Sequence, residues 1–165
     1  RNRRLALELE TINIKELSEN TLKLVAPMNA RDFKLQLIDL QEVPFISDRR
    51  RLDIVFNNLI SNAIKYRKQD TDTESELIIT WKVTAEDATL IFTDNGRGIA
   101  SKHLHKVFQM FYRAHPELPG TGIGLFIVAE TIRFLGGNIT VDSEEGIGTT
   151  FTITLPNHAK SEMIS

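Results

Sequence analysis

The segment SDRRRLDIVFNNLISNAIKY, Ser47 to Tyr66, has two faces that cannot share one environment. Leu52, Val55, Phe56, Leu59, Ile60 and Ala63 recur at helical periodicity and need an apolar cover. A step of about 100° per residue gathers Asn58, Asn62 and Lys65 into a narrow sector turned away from that stripe. Ser47 and Asp48 are candidate N-caps for this helix, the strongest in the chain.

Around it, Ile14, Leu17, Leu22, Leu24 and Val25 give a rougher helical stripe that Pro27 would end, and Phe33, Leu35 and Leu37 alternate as a strand does. Leu77 to Val83 and Thr89 to Thr93, separated by a polar turn, predict an antiparallel hairpin. A short helix from Ser101 and a longer one over Thr121 to Leu135 flank a loop with Pro116, Pro119 and Gly120, and Gly136–Gly137 is a natural helix stop. Ile139 to Val141 and Thr149 to Leu155 form a last hairpin. With 165 residues, 41% of them hydrophobic, one core and one domain are expected. Residues 1–10 read as the end of a preceding helix or a linker, 11–156 as the domain and 157–165 as a frayed tail.

A net charge of -2 gives no basic field for nucleic acid or an anionic membrane surface. The absence of cysteine excludes disulfides, thiolate zinc sites and cysteine catalysis, and fits a reducing compartment. No stretch approaches the roughly twenty apolar residues that span a bilayer. The expectation is a cytoplasmic domain without direct membrane contact. Because the sequence begins at Arg1, we expect it to be a fragment, whose parent could still be anchored in the inner membrane.

Three segments carry chemistry, the first of them on this helix. Amide oxygens such as those of Asn58 and Asn62 suit a hard cation like Mg2+, which draws most of its countercharge from substrate phosphates, and Lys65 could meet a terminal phosphate. The same residues also suit a solvent-facing helix side, and Tyr66 either caps a core or stacks on a base. Asp94 ends the run TLIFT and precedes NGRG. That is either a simple turn or a carboxylate with backbone drawn close to a ligand. GTGIGL, Gly120 to Leu125, opens an apolar helix whose free N–H groups could bind phosphate, although a glycine-rich loop alone is as often structural. It lacks the Lys-Ser or Lys-Thr pair of a Walker loop.

Taken in order, NLISNAIKY, DNGRGI, VFQMFYR, GTGIGLFIV and GIGTTFTITLP resemble the N box, first glycine box, F box, second glycine box and closing segment of sensor histidine kinase catalytic domains. These belong to the gyrase, heat-shock chaperone, histidine kinase and MutL nucleotide fold. The resemblance runs from about Leu17 to Pro156. It implies a two-layer α/β sandwich: a mixed, mostly antiparallel sheet of about five strands, with helices on one face and a flexible ATP lid. It implies ATP and Mg2+, with Asn62 on the metal, supported by Asn58, and with Lys65 and Arg113 approaching the phosphates. Tyr66, Gly98 and Ile99 would flank adenine, Asp94 would accept its amino proton beside Gly96, and Thr149 would help through water. Gly120, Thr121, Gly122, Gly124 and Leu125 would cradle phosphates under a lid from Tyr112 to Pro119, anchored by Phe108 and Phe111.

Hydrolysing members of the superfamily carry Glu where this chain has Asn58, and an amide cannot act as a general base. Attack by a neutral imidazole needs none, so phosphoryl transfer is favoured over hydrolysis. The four histidines, His103, His105, His115 and His158, lack the acceptor pattern and read as surface or packing residues. The expected partners are therefore a His-bearing dimerisation domain of the same parent and, downstream, a response-regulator receiver domain. The alternatives are a nucleotide-sensing module that has lost transfer, and an ATPase clamp. Intact pocket residues argue against the first and Asn58 against the second.

Overall fold

The computed structural model describes residues 6–27, 32–69 and 72–159. Its elements run β1 (Leu9–Thr11), α1 (Ile14–Val25), β2 (Phe33–Gln41), β3 (Ile46–Asp48), α2 (Arg49–Lys65), β4 (Ser75–Val83) and β5 (Asp87–Asp94). A 3-10 turn (Ser101–Lys106), α3 (Gly124–Phe134), β6 (Asn138–Glu144) and β7 (Gly148–Pro156) follow. Five strands make one sheet in the order β2-β4-β5-β7-β6, with β2 and β4 parallel and the other neighbours antiparallel. A parallel pair needs a crossover of about a dozen residues or more, and α2, 17 residues long, lies within it. The expected mixed sheet with helices on one side is therefore present.

Local chemistry sets the helix ends. Asn13 caps α1 by accepting from the Glu16 N–H at 3.0 Å. Ser18 and Thr21 can be buried in that helix because their hydroxyls donate to the Ile14 and Leu17 carbonyls, at 2.7 Å each. Ala26 is extended, as the residue before Pro27 must be. On α2 the whole predicted stripe is buried, and the Phe56 ring meets Phe92 of β5 edge-on at 5.1 Å between centroids. Along β4 the alternation puts Leu77, Ile79, Trp81 and Val83 inside, the indole N–H donating to Gln41 Oε1 at 3.2 Å.

At the chain ends the structure adds order that the sequence did not suggest. Of segment 1–10, expected as a helix end or a linker, residues 1–5 lie outside the described residues, and Leu9–Thr11 is a strand paired antiparallel with β3. Helix propensity loses there to a specific acceptor: the Glu8 N–H donates to Asp48 Oδ2 at 3.0 Å, and the Ile12 N–H to the Phe45 carbonyl at 2.8 Å. In the expected frayed tail, residues 160–165 lie outside the described residues, but Asn157 is buried. Its Oδ1 accepts from the Ile46 and Ala159 N–H groups, and its Nδ2 donates to the Pro44 and Thr84 carbonyls. One amide thus fastens β3, the β4–β5 turn and the end of β7 together.

Asp48, fully buried, caps α2 through the Arg51 N–H and holds the Arg51 guanidinium at 2.5 Å. Burial pushes its carboxyl up, but the bonds from Glu8 and Arg51 outweigh that and hold it below the ordinary aspartate value of 3.8. With the folded value the lower one, Asp48 stabilises the fold fully above 3.8 and progressively less as pH falls through the folded value. Asp48→Ala should therefore cost about 2 kcal/mol at pH 7 in urea unfolding, through a lost cap and the lost ion pair with Arg51. The gap to wild type should narrow on acidification below 3.8.

Candidate active site

A cavity of about 440 Å³ opens between α2, the start of α3, the ends of β5 and β7, and the segment around Tyr112 to His115. It brings together Asn58, Asn62, Lys65, Tyr66, Asp94, Gly98, Ile99, Arg113, Gly120, Thr121, Gly122, Gly124, Leu125 and Thr149. Gly96, also expected here, sits one layer back: its N–H donates to Asp94 Oδ1 at 2.9 Å, and a Cβ on it would lie 2.7 Å from the Tyr66 carbonyl. Ser61, Ile127 and Phe151 line the cavity beyond the expected set, and His115 does so from the segment expected as a lid.

The α2 wall is polar by construction. Asn58 spends its Nδ2 on the Ile54 carbonyl at 2.8 Å, and its Oδ1 lies 2.9 Å from where a Gly124 Cβ would be. Lys65 extends over the Tyr66 ring, its ammonium 5.1 Å from the centroid and 2.1 Å from the place of a Gly120 Cβ. Glycine at these two positions lets α3 and its leading turn come up against the polar side of α2.

α3 starts at Gly124, three residues later than expected, because the chain through Gly120 and Gly122 is not helical: Gly122 takes φ +74 with Phe111 backbone within 3 Å of its missing Cβ. The Phe111 N–H donates to the Gly122 carbonyl at 2.9 Å. Residue 123 provides no side-chain cap, so the first N–H groups of α3 have no intrahelical partner where Gly124 and Leu125 line the cavity.

At the other end, Asp94 Oδ1 accepts from the Gly96 and Thr149 N–H groups, at 2.9 and 3.3 Å. Burial nevertheless raises its carboxyl above the ordinary 3.8. Behind it, Ser143 Oγ accepts from the Ile99 N–H, contacts Thr149 Oγ1 and donates to the Gly148 carbonyl, each at 2.8 Å. Nothing in the sequence singled out this serine on β6.

The segment expected as a lid folds on itself and on its neighbours. Arg113 lines the cavity, and its guanidinium donates to the Leu118 carbonyl within the same segment. Phe108 does pack on the core, 6.2 Å from the Phe151 ring, whereas Phe111 is 65% exposed and contributes through its backbone instead. His115, expected to be a surface or packing residue, lies 5.4 Å from the Tyr66 ring with Nε2 at 2.9 Å from the Gly98 carbonyl, and Glu117 bridges it to Arg97. Tyr112 bonds to His103.

Residues 47–159 match the family model described as histidine kinase-, DNA gyrase B-, and HSP90-like ATPase. The chain belongs to this family. Curated relatives within it include the methanogenesis regulatory histidine kinase FilI of Methanothrix harundinacea, 38% identical over 109 residues, and the sensor protein SrrB of Staphylococcus aureus, 42% identical over 113. Each alignment covers 66% of this chain but 12% and 19% of the relative, so the chain spans less than a fifth of their length. Among solved structures, the mycobacterial sensor histidine kinase MprB superposes with a TM-score of 0.74 at 26% identity, covering 92% of this chain and 98% of that one. The Acinetobacter baumannii histidine kinase AdeS gives 0.73 at 28%, covering 94% and 71%. This kinase-like ATPase domain has no helix long and apolar enough to cross a membrane among its described residues.

For the ATPase domain the electrostatics of Asp94 have a measurable sign. With the folded value above the unfolded one, the folded state holds the extra proton between the two, so stability falls as pH rises through that interval. At neutral pH the ionised, buried carboxylate is a net cost. Asp94→Asn, which keeps an acceptor for the Gly96 and Thr149 N–H groups, should raise Tm at pH 7, and this difference should fade below pH 3.8, as seen by thermal unfolding.

Proposed function

We propose that the chain is the ATP-binding catalytic domain of a two-component sensor histidine kinase. It would take Mg2+-ATP and present the γ-phosphoryl group to a histidine on a separate dimerisation domain of the same parent. Fold, family and relatives support this reading, and one observation favours transfer over hydrolysis. Among the described residues Asp94 is the sole carboxylate lining the cavity, and its Oδ1 is bonded by the Gly96 and Thr149 N–H groups. On the α2 wall, where a base for water would be needed, Asn58 offers an amide.

The residues fit the nucleotide in three ways. Uncapped N–H groups at the α3 start and the Lys65 ammonium suit the phosphates. Asp94, Thr149 and the Tyr66 ring suit a base with an amino group. The Asn58 and Asn62 oxygens are hard donors, and no cluster of three or more His, Cys, Asp or Glu side chains able to hold a metal is found among the described residues. A cation here fits only if phosphates complete its shell, which is the habit of Mg2+. When bound, Mg2+ would neutralise charge on the β- and γ-phosphates.

In transfer, the acceptor imidazole nitrogen attacks phosphorus with its free lone pair, the bond to the β-phosphate oxygen breaks, and ADP leaves. Lys65 holds the migrating charge, and α2 and α3 keep the phosphates in line. Arg113 would have to leave the Leu118 carbonyl to join them. The phosphorylated histidine would then supply a response-regulator receiver domain, and the parent could be anchored in the inner membrane while this domain faces the cytoplasm.

Mixed with the parent's His-bearing module and labelled ATP, the domain should place acid-labile phosphate on that module while hydrolysing ATP only slowly alone. Normal ATP binding with no transfer would instead favour the nucleotide-sensing module. Asn62→Ala should abolish the Mg2+ dependence of ATP binding in calorimetry, and an unchanged dependence would remove Asn62 from the metal. Asp94→Asn should weaken ATP about 10- to 100-fold, the worth of a charge-assisted hydrogen bond to the base.

A further inference from the structure

The proton inventory behind Asp94 admits one arrangement. A serine hydroxyl has one proton to give and two lone pairs to fill. Ser143 Oγ stands 2.8 Å from three groups: the Ile99 N–H, which can only donate, the Gly148 carbonyl, which can only accept, and Thr149 Oγ1. The Gly148 carbonyl takes the serine proton, so the contact with Thr149 must be made with the threonine's proton. The Thr149 hydroxyl is thereby committed backwards, and only its lone pairs remain for the cavity that Thr149 lines.

The same holds for the groups around it. The N–H groups of Gly96 and Thr149 are both spent on Asp94 Oδ1, and that of Ile99 on Ser143. His115 Nε2 is engaged with the Gly98 carbonyl. Of these groups, what is left to a base is the second Asp94 oxygen, the Thr149 lone pairs and, once His115 moves away, the Gly98 carbonyl, all of them acceptors.

We propose that Ser143 is a positioning residue for base selection: by fixing the Thr149 hydroxyl it keeps this end of the cavity free of donors, so that a 6-amino purine is taken and a 6-oxo purine refused. A purine amino group satisfies these acceptors, whereas a 6-oxo oxygen would face them with no proton between, the kind of buried mismatch that discriminates most strongly. The inference rests on the reading of this end as the adenine end.

Calorimetry of the domain with ADP and with inosine diphosphate tests it. Wild type should prefer ADP by at least about 100-fold, and Ser143→Ala should narrow that ratio by about tenfold, chiefly by improving inosine diphosphate, because the freed Thr149 hydroxyl can turn and donate to the oxo group. Ser143→Thr, which keeps a hydroxyl, should restore the ratio. In a Thr149→Val background, with no hydroxyl to turn, Ser143→Ala should leave the ratio unchanged. A purely structural role for Ser143 would weaken both ligands alike and leave the ratio where it was, which overturns the inference while ADP binding leaves the nucleotide reading standing. Failure of wild type to bind ADP would overturn both. Should Ser143→Ala not fold, neutron diffraction from wild-type crystals decides: the Thr149 deuteron should lie on the line to Ser143 Oγ, and a deuteron aimed into the cavity refutes the proposal.

Discussion

Helix α2 cannot shift without dismantling the domain. Leu52, Val55, Phe56, Leu59 and Ile60 are each buried to 3% exposure or less, between α1, α3 and the sheet. At about 1.5 to 3 kcal/mol for each large apolar side chain, lifting this face from its cover would cost roughly 10 kcal/mol, comparable with the whole net stability of a domain. Asn58, Asn62 and Lys65 ride on the opposite side of the same rigid body. Their spacing is thus set by packing, and the cavity inherits the rigidity of a core it does not belong to.

The other wall is built on a different compromise. Asp94 closes strand β5, where the pairing partner in β7 is Thr149, so sheet register brings the carboxylate and the threonine side by side. The site keeps a charge where burial disfavours it, and two backbone N–H groups offset that in part. Under the proposed function, that charge is kept for the base it would bind. Against these two fixed walls, the segment from Tyr112 to Pro119 is held chiefly by polar contacts, those of Arg113, His115 and Glu117, which are easier to exchange than buried apolar area.

Much of this was legible in the sequence. Ile14–Val25, the Asp48-capped helix and both hairpins follow from periodicity, because each element has a strong local pattern that packing only confirms. The β1–β3 ribbon was hidden because three-residue strands carry no period, and because the acceptor that draws Glu8 in is Asp48, forty positions away. Asn157 and Ser143 escaped notice for a related reason: each matters through bonds to carbonyls and N–H groups distant along the chain, and a lone polar residue beside a strand end looks like surface. The start of α3 was misplaced because glycine reports freedom, not direction. Phe111 and Arg113 were assigned by their side chains, whereas the backbone of the first and a lid carbonyl for the second determine where they sit.

Lys65 and Gly120 are separated by 54 intervening residues, yet the ammonium occupies the space a side chain at 120 would take. The lysine end is flexible and would yield, so a larger residue at 120 would leave the core intact and displace the charge. Asn58 and Gly124 stand in the same relation, with 65 residues between them. A substitution at either glycine would therefore act on the polar wall of α2, and the two positions of each couple share one volume.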